Sequence, residues 1–414
     1  MIELNKKEFT ELKKIYCDFH KNPELSFQEI KTSKKLIGFL KELGFDIIDN
    51  IGEYGFVGIL NNGEGPTIML RTDMDALPIK ELTNIDYKSE VEATDWFGNK
   101  VNVMHACGHD LHMTLFIGTL RKLVEHKDKW NGTLIALGQP AEELGKGAKA
   151  MVADGLFDKI PIPEYLLAFH DSPDLEPGQI GFTKGVSWAG CDSLDLTVFG
   201  EGGHGAIPEK AKDPIVIASQ IILALQTISS REFSAFTPIV LTVGAISGGT
   251  KHNIIPDKVE LKISLRTFDS GVRDKVVESI RRIANNIACA AGIKKDKLPV
   301  LTGIENYHPP VYNDIDLVDK YVHHATKIIG KENVIEMKPV SVSEDFEIFH
   351  LAEPKIKAAL IWLGVDNLKE VELPEELQNR TPPLHSPYLA PDIELPIYTG
   401  VKVMTNSVID LFNN

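Results

Sequence analysis

Only four cysteines occur in 414 residues, Cys17, Cys107, Cys191 and Cys289, and none lies near another. That scarcity excludes a disulfide framework and suits a reducing compartment, where thiols stay free for chemistry. Basic residues are also in short supply: 44 Lys and Arg stand against 59 Asp and Glu, a formal net charge of -15. Affinity for phosphate backbones comes from clustered Lys and Arg, so no nucleic-acid partner is expected, and divalent cations suit the chain better than polyanions. Nowhere do about 18 apolar residues run together, so no membrane partner is expected. The N-terminal stretch MIELNKKEFTELKKIYCDFH lacks the basic start, apolar run and small-residue cleavage site of a secretory signal. A cytoplasmic protein is the expectation. No internal repeat or low-complexity segment occurs.

What is present is ordinary for a folded chain, with 43% hydrophobic and 25% charged residues, over a length that favours two domains. Ser26-Phe27-Gln28-Glu29 has capping-box spacing, and Leu36, Phe39, Leu40 and Leu43 recur at helical intervals up to Gly44. Short apolar runs at 56–60, 67–70, 133–137, 165–169 and 358–363 have strand length, and helix-like stretches at 111–125 and 147–156 lie between them. This alternation predicts an α/β domain with a mixed, largely parallel sheet flanked by helices. Between 186 and 297 the pattern changes to strand, helix, strand, strand, helix, with Asp213-Pro214 placed as an N-cap and first helical residue. It reads as a smaller α+β module (186–297) inserted into a larger domain made of 1–185 and 298–414.

Three strand candidates run into acids or histidine: Asp73 and Asp75 after TIMLRT, Glu142-Glu143 after TLIALGQPA, and His170-Asp171 after YLLAF. Functional groups of open α/β sheets gather beyond the carboxyl ends of the strands, so these clusters converge with MHACGHDLH at 104–112. Within that stretch Gly108 frees the backbone between Cys107 and His109, and a thiolate with imidazoles and carboxylates suits zinc, cobalt, nickel or manganese. Asp110 reads as a helix cap, and His105 and His112 as supporting groups. Adjacent Glu142 and Glu143 point different ways on an irregular segment, so one can bind metal while the other accepts a proton. Cys107 acting as a nucleophile with His109 or His105 as base is the competing chemistry, disfavoured because such partners usually come from distant segments.

In order, RTDMDALPI, MHACGHD, GQPAEE, AFHD, GGHGAIP, GGTKHNIIPD, SEDF and LHSP resemble the motifs of the M20 metallopeptidase family, in its amidohydrolase branch, and DFHKNPELSFQE resembles that branch's opening. The resemblance implies two divalent metal ions per subunit, zinc first and manganese, nickel or cobalt as alternatives. Their ligands would be Cys107, His109, Glu143, His170 and His385, with Cys107 bridging. It implies Glu142 as the base that activates a bridging water, and Asp75 and Asp73 as carboxylates behind the ligands. The inserted module becomes a lid or dimerisation domain whose His204 stabilises the oxyanion in the partner's site, while Asn253 and Arg266 hold the substrate carboxylate. A homodimer or homotetramer is implied. The reaction implied is amide hydrolysis of N-acyl or N-aroyl amino acids; dipeptide or N-acetyl-diaminopimelate-type deacylation is the alternative, and non-catalytic binding a further one. Lys251-His252 and Gly205 depart from the family pattern and leave the acyl group open.

Overall fold

Apolar residues spaced three and four apart give the N-terminal segment two helices, α1 (Lys6–Lys21) and α2 (Ile30–Glu42), which bury Leu12, Tyr16 and Phe19 from the first and Leu36 and Leu40 from the second. The computed structural model describes residues 1–369, 371–378 and 381–413. It forms two units, one of Met1–Gly185, Tyr312–Lys338 and Asp345–Asn414, the other of Val186–Val311 and Pro339–Glu344. The second unit therefore runs past the expected end at 297, because Val300–Thr302 joins its sheet beside residues 195–197.

The first unit continues with β1 (Asp46–Ile51), β2 (Gly55–Asn61), β3 (Thr67–Asp73), α3 (His109–Glu125), β4 (Thr133–Gln139), α4 (Gly147–Ala153), β5 (Tyr165–Ser172) and β6 (Ile180–Phe182). In the second unit lie β7 (Gly190–Phe199), β8 (Gly203–His204), α5 (Pro214–Leu225), β9 (Ile239–Ser247), β10 (Ile254–Ile255), β11 (Lys258–Thr267), α6 (Ser270–Ala290) and β12 (Val300–Thr302). The first unit closes with α7 (Ile315–Ile329), β13 (Val334–Glu336), β14 (Lys357–Gly364) and α8 (Glu394–Asn413).

Eight strands of the first unit pair in the order β1-β2-β4-β3-β5-β14-β6-β13. The central run from β4 to β14 is parallel, and the β1–β2, β2–β4 and β14–β6 pairs are antiparallel. Strands β3, β4, β5 and β14 are buried along almost their whole length, as expected of parallel strands covered on both faces, which is why each reads as an unbroken apolar run. Parallel pairing sets Asp73 opposite Gln139, so the chain leaves β3 and β4 at the same edge of the sheet. The acids that follow those strands are thereby brought together.

In the second unit β9, β11, β7 and β12 form an antiparallel sheet in that order. Along β11, exposed and buried residues alternate, and Val259, Leu261, Ile263 and Leu265 pack against α5 and α6. Asp213 accepts the Ile215 N–H and Pro214 opens α5, so the cap and the first-turn proline lie where the sequence indicated.

Candidate metal centre

The loop before α3 delivers two donors in three residues because of Gly108. Its φ is +71°, and a Cβ there would lie 2.5 Å from the Asp171 carboxylate, so only glycine fits. Cys107 Sγ then lies 3.7 Å from His170 Nε2 at the end of β5. His109 Nε2, the first residue of α3, lies 3.7 Å from Glu142 Oε2 and 3.9 Å from Glu143 Oε1. His385 comes from a distant loop whose N–H donates to the Ala106 carbonyl at 2.6 Å, and its Nε2 is 3.5 Å from Glu143 Oε2.

Three overlapping groups result: Cys107, His109 and His170; Cys107, Glu143 and His385; and His109, Glu142 and Glu143. Within each, the donor atoms lie within 4.8 Å of one another. Among the described residues, His109 Nε2 and Glu143 Oε1 are buried with no hydrogen-bond partner. Two orphaned donors facing each other across a pocket of sulfur, nitrogen and oxygen ligands fit a divalent transition metal, and Cys107 belongs to two of the groups.

Charges inside the cluster lead to the same conclusion. Burial, reinforced by Glu143, Glu142, Asp171 and Asp73, pushes the Cys107 thiol far above its ordinary value, and burial raises the Glu143 carboxyl to about 7. Burial also works against a charged His109, but Asp73, Asp75 and Glu143 outweigh it and hold the imidazole well above its usual range. Such an excess of acid over base is relieved by a bound cation, which deprotonates a coordinating thiol outright. A thiolate nucleophile at Cys107 is opposed by the same surroundings.

Behind the donors stands a buried polar layer. The Asp75 backbone carbonyl accepts from His109 Nδ1 at 2.8 Å, and its carboxylate accepts the N–H groups of Glu142 at 3.1 Å and Glu143 at 3.0 Å. Asp73 accepts from His112 Nδ1 at 2.8 Å, and the His112 Nε2 takes the Asp171 N–H at 2.9 Å. Arg71 ties Asp73 (2.6 Å) to Gln139 (2.9 Å), whose amide donates to Asp345 of SEDF at 2.6 Å. Although burial opposes ionisation of Asp73, His109, Arg71 and His112 hold its carboxyl well below the usual range.

Two local readings of the sequence are corrected. Asp110 is not the N-cap of α3, a position held by Gly108; from within the first turn its Oδ1 accepts the Leu111 N–H at 2.9 Å and its Oδ2 lies 2.7 Å from His20 Nδ1, while Glu81 meets the other ring nitrogen at 3.2 Å. Ser26 and Glu29 make no capping box: Ser26 donates to Asp75 at 2.5 Å and Glu29 accepts the Ala141 N–H at 2.7 Å. Both residues carry the right spacing for a cap, and nothing local distinguishes a serine turned toward its own helix from one turned toward an acid 49 residues away. His105 is buried with both ring nitrogens unpartnered among the described residues.

The remaining expected residues belong to the second unit. His204 on β8 is exposed and pairs with Ile254, and Asn253, also exposed, accepts the Gly205 N–H at 2.9 Å. Arg266, half-buried, pairs with Cys191 and Val240 at the other end of β11. From Lys258, at the Asn253 end of the strand, to Arg266 is about 26 Å of extended chain. Asn253 and Arg266, expected to hold one carboxylate together, therefore do not meet within one chain.

Residues 69–377 match the family described as peptidase family M20/M25/M40. The chain is 39% identical over 341 residues to the hippurate hydrolase of Campylobacter jejuni, covering 82% of this chain and 85% of that one. It is 34% identical to the N-acetylcysteine deacetylase of Bacillus subtilis, over 85% and 88% of the two chains. A solved Bacillus subtilis structure described as a dinuclear metal-binding peptidase superimposes with a TM-score of 0.79 at 28% identity, over 99% of this chain and 100% of that one.

Proposed function

The chain belongs to peptidase family M20/M25/M40, and from that premise we propose that it hydrolyses the amide bond of N-acyl or N-aroyl amino acids, releasing a carboxylic acid and a free amino acid. The observation that carries this reading is the convergence of Cys107, His109, Glu142, Glu143, His170 and His385 from four separate segments into one largely buried cluster that only His385 leaves open to solvent.

Cys107, His109, Glu143, His170 and His385 would hold two divalent ions, zinc being the one a thiolate favours, with manganese, cobalt or nickel also suited to the donor set. Such ions supply Lewis acidity, lowering the pKa of water and polarising a carbonyl. Glu142, fixed through its N–H by Asp75, takes the proton of the attacking water and returns it to the leaving amine. Asp75 sets the His109 ring by accepting from Nδ1, which aims Nε2 at the two glutamates. Amine release from a panel of N-acyl amino acids, run beside elemental analysis, tests the proposal. Absence of release with zinc, manganese, cobalt and nickel alike would overturn it.

His204, Asn253 and Arg266 enter through the family resemblance, as oxyanion and carboxylate contacts. Because His204 and Asn253 lie at one end of β11 and Arg266 at the other, a single substrate would meet all three only with the help of a second copy. A surface suited to a second copy exists: among the described residues β9 is an unpaired sheet edge with Val240 45% exposed, and α5 leaves Leu223 73% exposed. The reading therefore includes a homodimer formed through the second unit.

A further inference from the structure

Glu29 is remote in sequence from every group in the cluster, wholly buried, and unused by the mechanism above. It stands at the N-cap of α2 yet does no capping: the first-turn N–H groups of Lys31 and Thr32 go to Glu24 Oε2 at 2.9 and 2.8 Å. Its own side chain crosses instead to the segment after β4, where Oε1 accepts the Ala141 N–H at 2.7 Å.

Ala141 is the residue immediately before Glu142 and is held at a φ of +48°, a left-handed conformation that is strained for a non-glycine residue. Such a conformation persists only where its surroundings over-determine it. The surroundings here are specific. The Ala141 carbonyl accepts from Lys146 at 3.2 Å and Gly147 at 3.1 Å, closing the loop behind the two glutamates. A Cβ on Gly147 would lie 1.5 Å from the Pro140 carbonyl, so the loop cannot close on any larger residue. On the other side, Asp75 takes the next two N–H groups, those of Glu142 and Glu143. Three consecutive N–H groups are thus claimed by two buried carboxyls, and Ser26, three residues before Glu29, donates to the second of them.

We infer that Glu29 is a positioning residue for the hydrolytic site: by accepting the Ala141 N–H it fixes the left-handed elbow that aims Glu142 and Glu143 in their separate directions. The inference rests on the proposed roles of those two glutamates. What the site requires from residue 29 is a hydrogen-bond acceptor of this length. Burial, reinforced by Asp75, raises the Glu29 carboxyl to about 8, so a neutral amide is a fair stand-in for it.

Full-length protein loaded with Co²⁺ provides the test, using E29M, which keeps the length and removes the acceptor, and E29Q, which keeps the acceptor. E29M is expected to lower kcat on the order of 10²-fold with KM nearly constant, the size of loss that follows a misplacement of about 1 Å. It is also expected to alter the Co²⁺ absorption spectrum and speed Co²⁺ release to a chelator, while E29Q restores all three. Wild-type kcat and Co²⁺ release in E29M would overturn the inference, and so would an E29Q as impaired as E29M. Should E29M fold poorly, adding A141G relieves the left-handed strain, and the double variant is expected to fold yet remain slow; wild-type turnover in it would overturn the inference equally. E142Q in the same series separates this inference from its premise. Retained turnover there removes the role of Glu142, whereas Co²⁺ release still reports what Glu29 does to Glu143.

Discussion

His109 Nδ1 donates to the backbone carbonyl of Asp75 at 2.8 Å, and this one bond settles which ring nitrogen faces the acids. A carbonyl can only accept, so Nδ1 carries the proton and Nε2 is the nitrogen left for a cation or for Glu142 and Glu143.

Asp75→Asn tests that support directly. One of its carboxylate oxygens accepts the Glu142 N–H and the other accepts both the Glu143 N–H and the Ser26 hydroxyl, so an amide NH₂ in place of either oxygen opposes a donor with a donor. Zinc affinity, measured by competition with a chromophoric chelator, should fall about 10–100-fold, the usual cost of losing a partner behind a metal ligand. Unchanged affinity would show that the main-chain carbonyl alone orients the site.

Glu142→Gln should keep metal bound and lose turnover. General base catalysis contributes roughly 10²–10⁴-fold, so kcat should drop within or beyond that range while metal stoichiometry stays at the wild-type value. Near-wild-type turnover in this variant would exclude Glu142 as the base.

His20 makes stability depend on pH. Burial disfavours its charge, but Asp110 and Glu81 outweigh burial and raise its pKa from 6.5 to about 9. A basic group whose folded pKa is raised contributes stability that is fully present below 6.5 and is lost as pH rises through about 9. The shift corresponds to roughly 3 kcal/mol. The Tm gap between wild type and His20→Gln should be widest near pH 6 and narrow steadily toward pH 9.5; a gap independent of pH would exclude a charged His20.

Complementation tests the proposed dimer. Chains carrying His204→Ala and chains carrying Glu142→Gln should each be inactive, and unfolding and refolding them together should restore activity. If His204 acts in the partner's site, recovery should approach about one quarter of wild type, since half the dimers are mixed and each has one complete site. No recovery in verified mixed dimers would place His204 in its own chain's chemistry.

Much of the site was legible because cysteine and histidine are scarce in this chain, 4 and 13 of 414 residues, and because parallel strands deliver their following residues to one edge. The runs that became β3, β4 and β5 could be read from apolar continuity, since burial on both faces removes the alternation an exposed face imposes. The acids after β3 and β4 and the His170 near the end of β5 followed from the same rule. His385 carried no such signal: it sits in a loop at a φ of +65°, and only the family resemblance singled it out.

The sequence by itself determined the α/β class and the inserted α+β module, because each depends on local periodicity, whereas the full donor set came only through the family resemblance. Tertiary structure alone decided what the N-terminal motif is for. Ser26 and Glu29 have capping spacing, yet they serve Asp75 and Ala141, 49 and 112 residues away. It also decided that Val300–Thr302 belongs to the second unit. In each case a polar or backbone group had both a local and a distant partner available. Burial raises the penalty for an unmet hydrogen bond, so the distant partner that completes the buried network prevails, and that choice exists only once the chain has closed on itself.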